Sequence, residues 1–219
     1  MKIPFLTVFL ALLVPVHAGP PATTLAEPVA QVVSTAFDSP TAAVRKGTIQ
    51  GWQAAIGEWK IQDGALHGTE LAADHHPSSC TYRVDAADLI VTAEFRLGTA
   101  SQIAFGVRDG VAPHHHLART FITPEAVWIT HMSGIAKTTQ STKLAEVKMP
   151  VDPQTWHVLT LEIVGDQYRA TIDGKVVEGR HPRFQDPKGM VALINKGDGA
   201  QFRNVAIWKA QPRKSPGNR

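Results

Sequence analysis

One cysteine, Cys80, is all that the chain holds in 219 residues. No internal disulfide can form, so the fold has to be held by its core. No local pattern around Cys80 supports a nucleophile, and it reads as a buried or idle thiol. Charge of one sign is equally scarce. Lys and Arg number 22 against 19 Asp and Glu, a net charge of +3. The basic residues are dispersed except at the end (Lys209, Arg213, Lys214 and Arg219), which excludes a nucleic-acid grip and leaves residues 211–219 as a basic, solvated tail. Helical amphipathicity is nowhere sustained, and there is no internal repeat or low-complexity block. A Gly-rich phosphate loop, a Gly-x-Ser-x-Gly elbow and a His-Glu-x-x-His pair are also missing. So is a Glu-x-Asp-x-Glu strand, whose i, i+2 and i+4 carboxylates would share a face for double-displacement glycoside hydrolysis. Glu162 and Asp166 have the end spacing, but Val164 lies between them and Gly165-Asp166 reads as a turn.

What is present is strand grammar. Hydrophobic residues make up 43% of the chain, enough for a real core. From Trp156 to Ala210, Leu159, Leu161 and Ile163 alternate, Gly165-Asp166 turns, and Tyr168, Ala170 and Ile172 alternate again. Asp173-Gly174 makes a second turn, and Gly189–Ile194 and Ala200–Trp208 follow. Period two with Asp-Gly turns signals antiparallel hairpins. Trp59 and Ile61, the turn Asp63-Gly64 and Leu66 form another hairpin. Leu89–Leu97 and Gln102–Arg108 are strands with clean alternation. His115–Ile122 and Ala126–His131 flank a turn at Thr123-Pro124-Glu125, whereas Lys137–Met149 has no clean period and reads as a long loop holding an uncertain strand. In the last strand Phe202 and Val205 are three apart, so a bulge at Arg203-Asn204 is needed to turn Phe202, Val205 and Ile207 to one face. The expectation is an all-β sandwich.

At the other end, Lys2 precedes an apolar stretch, Ile3–Val16, too short for a comfortable membrane span and interrupted by Pro4 and Pro15. Val16-His17-Ala18 fits the positions a signal peptidase reads. Residues 1–18 are therefore expected to be a secretory signal peptide, with a retained anchor as the alternative. Residues 19–35, rich in Ala, Pro and Thr, are expected to be a linker, and the domain to span 36–210. A secreted or periplasmic protein follows, with no stable membrane insertion after cleavage.

The ordered set Gly57–Leu66, Glu94-Phe95-Arg96, Phe105-Gly106-Val107-Arg108, Gln154-Thr155-Trp156-His157, Ile172-Asp173-Gly174 and Phe202-Arg203-Asn204-Val205 resembles the 3-keto-disaccharide hydrolase family, abundant in exported bacterial proteins. The resemblance covers about residues 37–210. It implies a concanavalin A-like jelly roll of two antiparallel sheets, with ligands on the concave face. The stretch Asp109–Arg119 departs from the family pattern, in which a Glu-containing strand often follows a Gly-rich loop.

Several polar groups are candidates for chemistry. Glu94, Arg96 and Arg108 are expected on the non-core face of two adjacent strands, either gripping a sugar carbonyl and hydroxyls or forming a cross-strand ion pair. In His114-His115-His116, the outer two histidines would share one face of a strand. Three readings stay open for this run: a divalent first-row metal site, one acid/base histidine, or a solvated loop. No cofactor is assigned, and the metal stays an option. Glu70, Asp74, His75 and His76 form a second polar cluster, ranked as loop or rim. The resemblance implies cleavage of 3-keto-glycosides by base-promoted elimination and hydration. His131, His116 and Glu94 are then the catalytic candidates, and Arg96, Arg108, Arg119 and His115 the substrate-binding ones. The alternative is a non-catalytic, lectin-like carbohydrate-binding module of the cell envelope, with Trp52, Trp128 and Trp156 available to stack on sugars. Carbohydrate is the expected partner in either case.

Overall fold

The computed structural model describes residues 21–135 and 138–214; the signal-peptide reading of residues 1–18 lies outside them. In chain order the strands are β1 (Ala26–Thr35), β2 (Thr48–Ile49), β3 (Trp52–Ile56), β4 (Glu58–Gln62), β5 (Ala65–Thr69), β6 (Ser78–Ala86), β7 (Asp88–Arg96) and β8 (Gln102–Asp109). They continue with β9 (His116–Ile122), β10 (Ala126–Ser133), β11 (Gln140–Lys148), β12 (His157–Val164), β13 (Gln167–Ile172), β14 (Lys175–Arg180), β15 (Lys188–Lys196) and β16 (Asp198–Pro212). Two eight-stranded antiparallel sheets result. The first runs β14-β13-β12-β7-β16-β5-β4, with β1 added along β16, and the second runs β11-β10-β9-β8-β15-β6-β3-β2. The expected all-β sandwich is borne out. No helix among the described residues is long and apolar enough to cross a membrane.

The turn chemistry works as the sequence predicts. Asp63 and Gly64 both have positive φ (52° and 72°), and so do Asp173 and Gly174 (49° and 80°). Successive left-handed residues give the hairpin twist that matches the strands. The bulge is also present. Asn204 has φ 49° and the pairing with β7 shifts between Arg203 and Ala206, so Phe202, Val205 and Ile207 are all fully buried. The two inner faces meet through aromatic rings. Phe105 of β8 sits edge-on to Phe95 of β7 and Phe202 of β16, with centroids 6.0 and 5.7 Å apart.

Three sequence expectations are corrected. Residues 26–35 are not linker but a strand. Two register shifts along β1, at Pro28/Ala30 and Gln31/Val33, break the period that would have revealed it. The stretch read as a long loop with an uncertain strand is mostly strand, the nine residues of β11 at the sheet edge, whose side chains are all exposed or half-buried and give no clean apolar alternation. The basic tail begins later than expected, because β16 runs to Pro212 and Arg213 hydrogen-bonds Thr23 and Leu25.

Two features at the margins of the sandwich carry energy. Glu162, buried on β12, accepts from the backbone amides of Thr24, Leu25 and Ala26 at 2.7–3.1 Å, clamping the entry to β1. Where β10 faces the end of β14, His131 stacks on His181 with centroids 3.5 Å apart, and both rings contact Phe184. His131 Nε2 is buried and has no hydrogen-bond partner. Burial, then the charges of His181 and Arg183, push His131 down to about 4, with Asp186 opposing.

Glu162→Ala leaves three amides to find other partners and is expected to cost about 2 kcal/mol. Glu178→Ala, which breaks an exposed pair with Arg169, should cost less than about 0.5 kcal/mol; urea denaturation of both variants checks this. Folding also leaves His131 harder to protonate than in the unfolded chain. Stability is therefore full above about pH 6.5 and is lost as pH falls toward about 4. Tm followed across that window should decline in the wild type and decline less in His131→Gln.

Candidate functional site

The pairing register sets three rows of side chains across the outward face of the second sheet. The first is Arg83, Met190, Arg108 and His116, on β6, β15, β8 and β9. The second is Thr81, Ala192, Gly106, Arg119 and Thr130. The third is Ser79, Ile194, Ala104, Phe121 and Trp128. Small residues fill the middle, and Ala104, Ala192, Ile194 and Phe121 form an apolar cluster separate from the core. A Cβ on Gly106 would stand 3.2 Å from Ile194 Cδ1 and 3.6 Å from Arg119 Nε. Glycine there keeps the floor low beside the guanidinium.

Arg119 is the centre of this face. Its Nε is buried and has no hydrogen-bond partner, and its guanidinium lies 5.4 Å from the Phe121 ring centroid. Phe121 stacks in turn on Trp128 at 5.1 Å, and Lys143 of β11 covers that ring. These rings brace Arg119 through cation–π contact, with neighbours on both Trp128 faces. Burial and then the neighbouring Arg108 lower the Arg119 pKa to about 10. Burial likewise lowers that of Arg108, which Asp109 partly offsets. Arg108 donates one long hydrogen bond, to the His114 carbonyl at 3.4 Å.

His116 is 8% exposed. Burial, then the charges of Arg108, Arg119, His76 and His115, drive its pKa down to about 3, so the ring is neutral at ordinary pH. An Arg119 Nη sits 3.5 Å from His116 Nδ1. A guanidinium can only donate, so Nδ1 accepts and the ring proton resides on Nε2. The arrangement offers two donors, an Arg119 N–H and a neutral imidazole N–H, on an open face.

The other predicted site residues are scattered. Glu94 and Arg96 lie on the outward face of the first sheet, not beside Arg108, because β7 and β8 belong to different sheets. There Glu94 holds Arg203 at 2.6 Å and Asn204 at 2.7 Å, while Arg96 donates to Gln201 at 2.6 Å. Both guanidiniums lie against the Trp156 ring, Arg203 at 4.0 Å and Arg96 at 5.2 Å. Glu94, Arg203, Asn204 and Gln201 thus form a cross-strand network, although the buried Nε of Arg96 has no partner. His131 points inward to the His181 stack, away from Arg119. His115 pairs with Asp109, which also binds Arg183 at 3.0 Å. His114 precedes β9 in a left-handed conformation with Nδ1 bonded to the Asp109 carbonyl, so it does not line up with His116. Among the described residues no three His, Cys, Asp or Glu are grouped to hold a metal ion.

Of the second polar cluster, Glu70 and Asp74 cap backbone amides of Gly197 and Gly57. His76 differs, since its charge is one of those felt by His116. Its Nδ1 donates to the Pro77 carbonyl at 2.7 Å, which leaves Nε2 with the free lone pair. Sequence reasoning placed His76 in a loop or rim cluster and did not single out Phe121 or Arg83, because cross-strand neighbours emerge only once register is known.

Comparison with known proteins agrees with this architecture. A Bacillus subtilis protein of unknown function with a galectin-like fold is 11% identical, with TM-score 0.61 over 86% of this chain and 100% of that one. The laminarinase of Rhodothermus marinus is 14% identical (TM-score 0.59, covering 85% and 99%). The carbohydrate-binding module CBM66 of Bacillus subtilis is 13% identical (0.55, covering 76% and 98%). At such identities the likeness shows the jelly-roll fold alone. Among curated proteins none matches the sequence. The family profile described as the 3-keto-alpha-glucoside-1,2-lyase-like domain, however, matches residues 46–208. The chain therefore belongs to that family, the 3-keto-disaccharide hydrolases whose motifs its sequence carries.

Proposed function

We propose that this carbohydrate-active domain cleaves 3-keto-glycosides, outside the cytoplasm as its leader-like N-terminus implies, on the outward face of the second sheet. The observation that carries the reading is Arg119, a half-buried arginine whose buried Nε has no partner, set against a histidine held neutral by its surroundings. A neutral imidazole N–H beside a guanidinium suits a carbonyl that gains negative charge in the transition state. A ketone at C3 acidifies the hydrogen on C2. His116 Nε2–H and Arg119 polarise the C3 oxygen, and His76 Nε2 takes the C2 proton. The electron pair left on C2 forms the C1–C2 double bond as the C1–O bond breaks. The departing alkoxide recovers the proton from His76, and water adds across the double bond to give the free 3-keto sugar.

Incubation of the purified protein with 3-keto-trehalose or 3-keto-lactose, with added divalent metal or with chelator, tests the reading. Release of the second sugar is expected. Unchanged substrate in both arms, with the sugar nonetheless bound, would leave the carbohydrate-binding module as the function. Within an active enzyme, His76→Ala should lower kcat/KM by about 10² or more, as loss of a general base does. Arg119→Gln should lower it by about 10²–10³ through loss of the charge facing the enolate. Glu94→Gln, on the opposite sheet, should leave the rate within about twofold; an equal loss in Glu94→Gln would move the site to the first sheet.

A further inference from the structure

The row that ends at His116 begins at Arg83, and it borders a cavity of about 400 Å³ lined by Gly51, Gln53, Thr81, Tyr82, Arg83 and Met190. Met190 pairs across to Arg83 on one side and to Arg108 on the other, so the two guanidiniums stand two strands apart, at and beside the cavity. Neither makes an ion pair among the described residues. By contrast, Arg45, Arg169, Arg180, Arg183 and Arg203 each bind a carboxylate. Asp109, next to Arg108 in sequence, is engaged with Arg183 and His115. Half-buried positive charge without a counterion is costly, and burial already depresses the Arg108 pKa. A bound anion relieves that cost, and the fork of donors on arginine fits an oxyanion. The neutral donors of the cavity, Gln53 and Thr81, suit sugar hydroxyls.

We infer that the substrate is an acidic sugar, carrying a carboxylate or sulfate that Arg83 and Arg108 grip at the edge of the cavity that Gln53, Thr81 and Met190 line. The inference rests on the catalytic reading of the same face, placing the reacting carbonyl at Arg119 and the anionic substituent one row away. It also assigns a specificity role to Arg83, an exposed residue that the reaction itself does not need.

Titration calorimetry of the full-length protein at low salt, with methyl glucuronide, methyl glucose 6-sulfate, methyl glucoside and inorganic sulfate, tests it. At least one acidic sugar is expected to bind tenfold or more tighter than methyl glucoside. The preference should shrink as salt is raised, and it should be lost in Arg83→Gln and in Arg108→Gln. Equal affinity for acidic and neutral sugars overturns the inference, as does a preference that survives both substitutions. Inorganic sulfate binding as tightly as the sugar sulfate would show a free-anion site and overturn it too. Turnover of 3-keto-lactose measured alongside separates the two readings. Turnover without an acidic preference refutes only the substrate class, whereas an acidic preference with no cleavage of a 3-keto-glucuronide refutes only the catalysis.

Discussion

The outward face of the second sheet depends on the register in which β15 and β9 pair with β8. Ile103, Phe105 and Val107 of β8 are buried in the sandwich, so the residues between them, Ala104, Gly106 and Arg108, must face outward. A slip of one residue would drive Arg108 into the core and expose Phe105, and the core forbids it. The same constraint on β9 buries Thr120 and Ile122 and turns Arg119 and Phe121 out. Thr120 is fixed further by its hydroxyl contact of 2.7 Å with Tyr168 of β13, across the sandwich. Packing between the sheets thus determines which charges meet on the surface.

That dependence explains how much was readable beforehand. Alternation reveals which side chains share a face of their own strand, and the hairpins around Asp63-Gly64 and Asp173-Gly174 and the bulge at Asn204 were legible from local chemistry. Alternation does not reveal which sheet a strand joins. β7 and β8 are consecutive and equally regular, yet the chain crosses between sheets after Arg96, so Glu94 and Arg96 part from Arg108. The grouping of His116, Arg119 and Arg108 was only half visible, as residues of the right type without their neighbours. Ala192 reaches the same floor from β15, and His76, whose charge acts on His116, comes from the loop before β6; no local pattern announces either. β1 escaped notice and β11 stayed uncertain for a different reason. Bulges interrupt one, and the other, an edge strand with a register shift of its own, only half-buries Leu144, Ala145 and Val147 and so shows no clean apolar period.

The two outward faces carry similar residues and differ in how their charges are settled. On the first sheet Glu94 neutralises Arg203 and accepts from Asn204 through its other oxygen, and both guanidiniums lie against Trp156. Arg96 there binds neutral Gln201 and keeps a buried Nε without a partner. On the second sheet Arg108 and Arg119 share no carboxylate, and His116 cannot supply one. Buried polar atoms without a partner also occur on Arg96, His131, Arg169 and Asn195, but here two guanidiniums without a carboxylate adjoin a floor of small residues. Uncompensated charge next to a floor of small residues marks a site more clearly than the residue types alone do.

The field created there also restricts the chemistry available. Arg108 and Arg119 help to lower the His116 pKa to about 3, and a base so weak gains little from taking a carbon-bound proton near neutral pH. The same field makes its neutral N–H a steady donor, and Arg119 at Nδ1 fixes which nitrogen carries the proton. In the proposed reaction donor and base are therefore separated between two histidines. His116 is embedded and neutral, and His76 stands on the loop with its Nδ1 bonded to the Pro77 carbonyl. As charge develops on the substrate oxygen it offsets the guanidiniums, so stabilisation is largest in the transition state and smaller for the neutral ketone. The jelly roll by itself serves hydrolases and binding modules alike. The difference lies in whether its open face stabilises a charge that exists only during reaction.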